Sequence, residues 1–267
     1  MIGFVVPIKP RRFSTNWEKD NRLLERTLGA ILNQTDPNFK IFILYTDKPQ
    51  INIHHSSINY ILFDFPFLET KEILDFESKV KRWMPDPVYV SKMFDKGRKI
   101  MLGCKYAKEA GCNFIMSIDS DDLISNKLAA FVNKQATDSV GWVLKNGYMH
   151  LESLNVLIKK TDIFKVNGST NIINAKYVPN PNFNSRYYYD FNFFEGHGYL
   201  PLRMQEMYHK KQDELPFIGV VYTIHSDNAS HINKILSLKN IKTLAKIILH
   251  GKLMNKRIAK EFNLVKL

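Results

Sequence analysis

The chain has 267 residues, 45% of them hydrophobic and 12% aromatic, enough apolar material for a substantial core and unlike the composition of a disordered or fibrous protein. Its formal charge of +12 is uneven: residues 232–267 carry nine Lys or Arg against Glu261 alone, so the preceding body is only mildly basic. Two cysteines, Cys104 and Cys112, make neither a metal-ligand spacing nor a disulfide framework. The apolar opening Met1-Ile-Gly-Phe-Val-Val-Pro7 has neither a basic leader nor a small-residue cleavage site. No apolar stretch approaches the roughly 18 residues of a membrane span. A cytoplasmic protein, at most peripheral on the inner face of the cytoplasmic membrane, is the expectation.

In chain order, Ile2 to Val6 reads as a first strand, and Thr15 with Glu18 as a capping box. Leu24, Leu28 and Ile31 then repeat at helical spacing through Asn33. Lys40 to Thr46 and Ile58 to Phe63 read as buried strands. Asp64 to Val90, with Pro66, Pro85 and Pro87, reads as a long loop. A helix is predicted from Lys92 to Ala110, ended by Gly111, and a strand from Phe114 to Ile118. Then come a helix over Asn126 to Gln135, strands and turns from Val140 to Val166, and an irregular, Asn- and Pro-rich loop from Asn167 to Asn184. A helix at Tyr199 to Lys211 and a strand at Ile218 to Ile224 close the body.

This alternation predicts an α/β fold with a mixed, mostly parallel sheet flanked by helices. One domain is expected over 1–231, with a nucleotide-binding half at 1–125 and an acceptor-binding half at 126–231. Residues 232–267, where Ile241, Leu244, Ala245 and Ile248 recur among lysines, read as a basic amphipathic helical tail. Such a tail either lies on anionic lipid or packs on the body with its lysines solvated.

The chemistry centres on Asp119-Ser-Asp-Asp122, which follows the Phe114 strand at its carboxyl end, where open α/β sheets bind ligands. In extended chain Asp119 and Asp121 project on one side with Cα atoms roughly 7 Å apart. That suits one hard divalent ion, Mn²⁺ or Mg²⁺, which also takes phosphate oxygens. The triplet by itself is equally a solvated turn in which Asp122 and Ser125 cap the next helix.

Taken together, several segments resemble the family-2-like glycosyltransferases of the GT-A fold, particularly bacterial enzymes of surface polysaccharide biosynthesis. Phe4-Val-Val-Pro7 resembles the first strand and loop, Ile31-Leu-Asn-Gln-Thr35 the end of the first helix, and Phe42-Ile-Leu-Tyr-Thr-Asp47 the second strand. Asp95-Lys-Gly-Arg-Lys99 is similar to the helix start before the metal strand, Phe114 to Asp122 to that strand, and Val221-Tyr-Thr-Ile-His-Ser-Asp-Asn-Ala-Ser230 to a C-terminal motif. The resemblance implies a metal-dependent, inverting transfer of a sugar from a nucleoside diphosphate donor, UDP favoured, to a glycan or lipid-linked glycan.

It also implies roles. Asp119, Asp121 and His225 would hold the metal, with Asn228 and Ser230 as weaker companions of His225. Pro7, Lys9, Arg11, Asp47, Lys96, Lys99, Asp119 and Ser120 would contact the nucleotide. Asp47 reads either as an acceptor for base or ribose or as a turn acid, and Lys96 with Lys99 as a phosphate pair or a solvated helix face. The Glu-Asp pair that many members carry is absent, leaving Glu195, His197 and Asp190 as catalytic candidates, Glu195 foremost as general base. The aromatic run Tyr187 to Phe194 lines an acceptor pocket or belongs to the core. Two other classes stand beside this one: a nucleotidyltransferase acting on sugar phosphates, which would normally show a glycine-rich loop where Pro7 to Arg12 has none, and a non-catalytic basic module. No nucleic-acid motif accompanies the basic residues, so nucleic acid is not expected as a partner.

Overall fold

A computed structural model describes residues 1–76, 87–152, 155–196, 198–224, 251–253 and 255–264. The central sheet has seven strands in the order β10-β6-β9-β4-β1-β2-β3. These are β1 (Ile2–Pro7), β2 (Phe39–Tyr45), β3 (Ile58–Leu62), β4 (Phe114–Ser117), β6 (Gly141–Val143), β9 (Asn171–Asn174) and β10 (Asp213–Glu214). All pairings are parallel except those of β9, which runs antiparallel to β4 and β6. The expected mixed, mostly parallel sheet flanked by helices is therefore present.

Its layers follow from the alternation of side chains along β1, where all six residues are buried. Ile2, Phe4 and Val6 face the layer of α1 (Trp17–Leu32), with Leu24, Leu28 and Ile31. Val5 faces the layer of α2 (Pro87–Glu109), with Phe94, Met101 and Ala107. That contact is close: a Cβ on Gly103 would fall 2.4 Å from Val5 Cγ1 and 2.6 Å from Leu44 Cδ2.

A second sheet, ordered β12-β8-β7-β11-β5, joins β5 (Leu123–Ile124), β7 (Asn146–Leu151), β8 (Val156–Thr161), β11 (Val220–Ile224) and β12 (Gly251–Leu253). The remaining helices are α3 (Leu128–Val132), α4 (Leu200–Tyr208) and α5 (Lys256–Phe262).

Several boundaries differ from expectation. Helix α1 is capped by Asn16, whose side chain accepts the Lys19 N–H at 2.9 Å, while Glu18 pairs with Arg22 one turn on. The capping box at Thr15 does not form. Helix α2 begins at Pro87, because proline suits a first helical position where no N–H is needed. Within the segment read as irregular, Asn171–Asn174 is a buried strand: Ile172 and Ile173 face the two layers, and Asn174 Nδ2 donates to the carbonyls of Thr137 (2.7 Å) and Ser139 (2.8 Å). Cys104 and Cys112 are free and buried, as expected.

The described part of the tail packs on the body. β12 adds to the edge of β8 antiparallel, so a strand lies where a helix was expected. Helix α5 buries Phe262 among Ala30, Leu123, Leu157 and Val221. Its Glu261 accepts from Ser125 Oγ at 2.7 Å and from Lys127 Nζ at 2.8 Å. Residues 232–250, with Ile241, Leu244, Ala245 and Ile248, lie outside the described residues, and the expected membrane contact rests on them. Among the described residues no helix is long and apolar enough to cross a membrane.

Candidate functional site

The strand order reverses beside β1: β2 and β3 extend to one side of it and β4 to the other. At such a switch point the loops leaving neighbouring strands diverge and open a crevice at the strands' carboxyl ends. Pro7 ends β1 there, and Asp119 to Asp122 follow β4 there.

The loop after β1 is held from β2. Ile8 N–H donates to the Leu44 carbonyl and Arg11 N–H to Asp47 Oδ2, at 2.9 and 2.8 Å. Asp47 thus anchors this loop, and Arg11 meets it through its backbone, with its own side chain exposed. Lys9 pairs with Asp20 of α1 at 2.9 Å.

The acidic loop is built against residues 167–170. Ser169 Oγ accepts the Asp119 N–H (2.8 Å) and donates to Asp122 Oδ2 (2.6 Å), which also accepts from Asn167 Nδ2 (2.7 Å). Asp122 is 1% exposed, and its Oδ1 is buried without a hydrogen-bond partner. Burial, then the charges of Asp121 and Asp119, push Asp122 well above the usual carboxylate range, against the pull of Ser169 and Asn167. Neither Asp122 nor Ser125 caps a helix. α3 starts at Leu128 without a side-chain cap, and Leu123–Ile124 form β5. Asp119, Ser120 and Asp121 are partly exposed beside Asp122.

The basic residues of α2 divide sharply. Lys99, expected as half of a phosphate pair, is fully buried and donates to Asp95 Oδ2 and to the Ile8 carbonyl, each at 2.9 Å. Burial lowers its pKa, partly countered by Asp95. It ties α2 to the loop after β1. Arg98 donates to the Pro66 and Phe183 carbonyls and lies over the rings of Phe63, Phe65, Phe94 and Phe191. Only Lys96 of the three reaches the acidic loop, with Nζ 2.6 Å from Asp119 Oδ1. Burial disfavours its charge, but Asp119, then Asp121 and Asp122, overcome that and raise its pKa.

Glu195 lies near enough to this pair for the Lys96 charge to act on its carboxylate. Tyr188 Oη donates to Glu195 Oε1, and Arg203 Nη1 donates to the backbone carbonyls of Phe193 and Glu195, gripping the chain on both sides. Gly97, next to Lys96, lets this segment approach: a Cβ there would sit 2.4 Å from the Phe191 carbonyl oxygen. Burial raises the pKa of Glu195, while the Tyr188 hydrogen bond, Arg203 and Lys96 oppose the rise. Glu195, Lys96 and Asp119 all act on the phenol of Tyr89, so the two sides share one electrostatic environment. Tyr222 on β11 likewise feels Asp122, Asp121 and Asp119 after burial.

Asp190 is exposed and accepts from Ser185 Oγ in a local turn. The aromatic run splits: Tyr188, Phe191 and Phe193 are core residues, whereas Tyr187 and Tyr189 are about half exposed. His197, His225, Asn228 and Ser230 lie outside the described residues. Among the described residues no group of three or more His, Cys, Asp or Glu is arranged to hold a metal. Sequence reasoning missed Tyr89, Asn167, Ser169 and Arg203 as parts of the site, and had Tyr188 only as a member of the aromatic run. Only Asn167-Gly-Ser-Thr170 carried a signal, that of a turn.

No family model and no curated protein matches the chain. Among solved structures, TarS of S. aureus is similar at 10% identity over 92% of this chain and 41% of TarS, with a TM-score of 0.41. Residues 1–349 of TarS in complex with UDP-GlcNAc match at 10% identity over 84% of this chain and 58% of that one, with a TM-score of 0.37. A protein named as a nucleotide-diphospho-sugar transferase, from Desulfovibrio desulfuricans G20, matches at 11% identity over 93% and 94% of the two chains, with a TM-score of 0.38. The chain thus spans less than half of the full length of TarS.

Proposed function

We propose that the protein is a glycosyltransferase that moves a sugar from a nucleoside diphosphate donor, UDP favoured, to a glycan or lipid-linked glycan, with inversion. The observation that carries this reading is that two unlike carboxylate groups share one electrostatic environment at Tyr89. One is the acidic loop with its ammonium partner Lys96; the other is the single, backbone-gripped Glu195. A transfer needs both: positive charge management where a diphosphate leaves, and a base where a hydroxyl attacks.

The carboxylates of the acidic loop are hard oxygen donors of the kind a divalent cation, Mn²⁺ or Mg²⁺, takes together with phosphate oxygens. Asp119, Asp121 and Asp122 together form the acidic surroundings of Lys96. Asp122 Oδ1 is buried with no partner, and Asp119 already holds a cationic group at 2.6 Å. Asp119 and Asp121 would be the ligands, with His225 as a third. Bound there, the ion would neutralise the charge that develops on the leaving diphosphate. Asp122, held by Ser169 and Asn167, serves as the fixed back wall of the loop. In the crevice Glu195 accepts the proton of the attacking hydroxyl through its free Oε2, while Tyr188 holds Oε1. The acceptor oxygen forms the new bond to the anomeric carbon as the bond from that carbon to the diphosphate oxygen breaks.

The test is the pair Asp119→Asn and Asp121→Asn, assayed for nucleotide-sugar transfer or hydrolysis with Mn²⁺. Activity should fall by about 10³. Undiminished turnover in the double variant would overturn the metal and diphosphate reading.

A further inference from the structure

Lys96 is the one basic side chain of its cluster that can change partners. Lys99 is enclosed by Asp95 and the Ile8 carbonyl, and Arg98 by two carbonyls and an aromatic cage. The Lys96 side chain is 35% exposed and that of Asp119 26%, so their ion pair opens to the crevice. The lysine stem is flexible, and its ammonium takes a phosphate oxygen as well as a carboxylate. A divalent ion on Asp119 would face the Lys96 charge at nearly the same oxygen, where like charges repel. Asp122 of the same loop also carries a buried Oδ1 without a hydrogen-bond partner.

We propose that Lys96 is an internal counter-ion, displaced from Asp119 by a divalent cation and received by a phosphate oxygen of the nucleoside diphosphate. Cation and diphosphate therefore bind as a synergistic pair: each alone must work against the Lys96–Asp119 bond, and together they satisfy both of its partners. The inference rests on the donor-site reading above and adds to it a coupling that a permanently placed phosphate lysine would lack.

Calorimetric titration of the full chain with MnCl₂ alone, UDP alone, and each in the presence of the other tests it, on wild type, Lys96→Met and Lys96→Arg. Wild type should bind each ligand more tightly when the other is present. Lys96→Met should bind Mn²⁺ alone about tenfold more tightly, because the competing charge is gone, and UDP with Mn²⁺ about tenfold more weakly. Lys96→Arg, which keeps the charge, should bind Mn²⁺ alone as wild type does and so separates charge from a change in packing. If Lys96→Met weakens UDP but leaves Mn²⁺ affinity unchanged or lower, Lys96 is an ordinary phosphate contact and the exchange is overturned. Wild type that binds both ligands independently overturns the exchange alone. Wild type that binds neither overturns the donor-site reading beneath it as well.

Discussion

Asp119 leaves the end of a sheet strand, whereas Glu195 leaves neither strand nor helix. The acidic loop inherits its position from β4, whose neighbours β1 and β9 hold it on both sides, and Ser169 and Asn167 bond to it from the loop before β9. The Glu195 segment is irregular and is fastened by side chains from elsewhere: Tyr188 on the carboxylate, Arg203 of α4 on the carbonyls, and Gly97 of α2 beneath Phe191. A functional group placed by a sheet needs little besides its strand. One placed on irregular chain needs a dedicated set of holders, and those holders become part of the site.

The contrast can be broken first on the sheet side, at the lysines of α2. Lys99→Met should cost about 3–5 kcal/mol of unfolding free energy, since it leaves Asp95 buried and unpaired. Nucleotide affinity measured well below the melting temperature should change little. Denaturant unfolding with a midpoint equal to that of wild type would return Lys99 to the ligand side. On the irregular side, Glu195→Gln should lower turnover by about 10² while donor binding persists, because the carboxamide keeps the shape and loses the basicity. Equal losses of donor affinity and turnover would make Glu195 a structural residue.

The smallest effect belongs to a holder. Tyr188→Phe removes the hydrogen bond that favours the charged form of Glu195, worth about 1 kcal/mol. The pKa of Glu195, already raised by burial, should rise further. A base works only when deprotonated, so the acid limb of kcat/KM should move to higher pH and the deficit should fade as pH increases. A uniform loss at every pH would show that Tyr188 only packs.

The same contrast explains what was legible in the chain. β1, β2 and β4 stand out as continuous apolar runs because parallel strands covered on both faces demand them. β9 does not, since its two isoleucines sit between asparagines that read as turn residues; its pairing with β4 and β6 makes it a strand. β12 lies in a lysine-rich tail and is a strand because β8 offers it an open edge.

By itself the sequence determined the alternating α/β layers, the acidic run at the end of β4 and the surplus of positive charge near the C-terminus. All three are local patterns, written in periodicity and composition over a few residues. Tertiary structure alone decided which of Lys96 and Lys99 faces the acids, that Lys9 belongs to Asp20, and that Tyr188 and Arg203 hold Glu195. Helical spacing puts Lys96 and Lys99 on one face of α2, but the depth of the neighbouring layers varies along that face. At Lys99 the loop after β1 closes over the helix, and at Lys96 the crevice opens, so the same residue type is a buried tie in one place and an exchangeable charge one turn away.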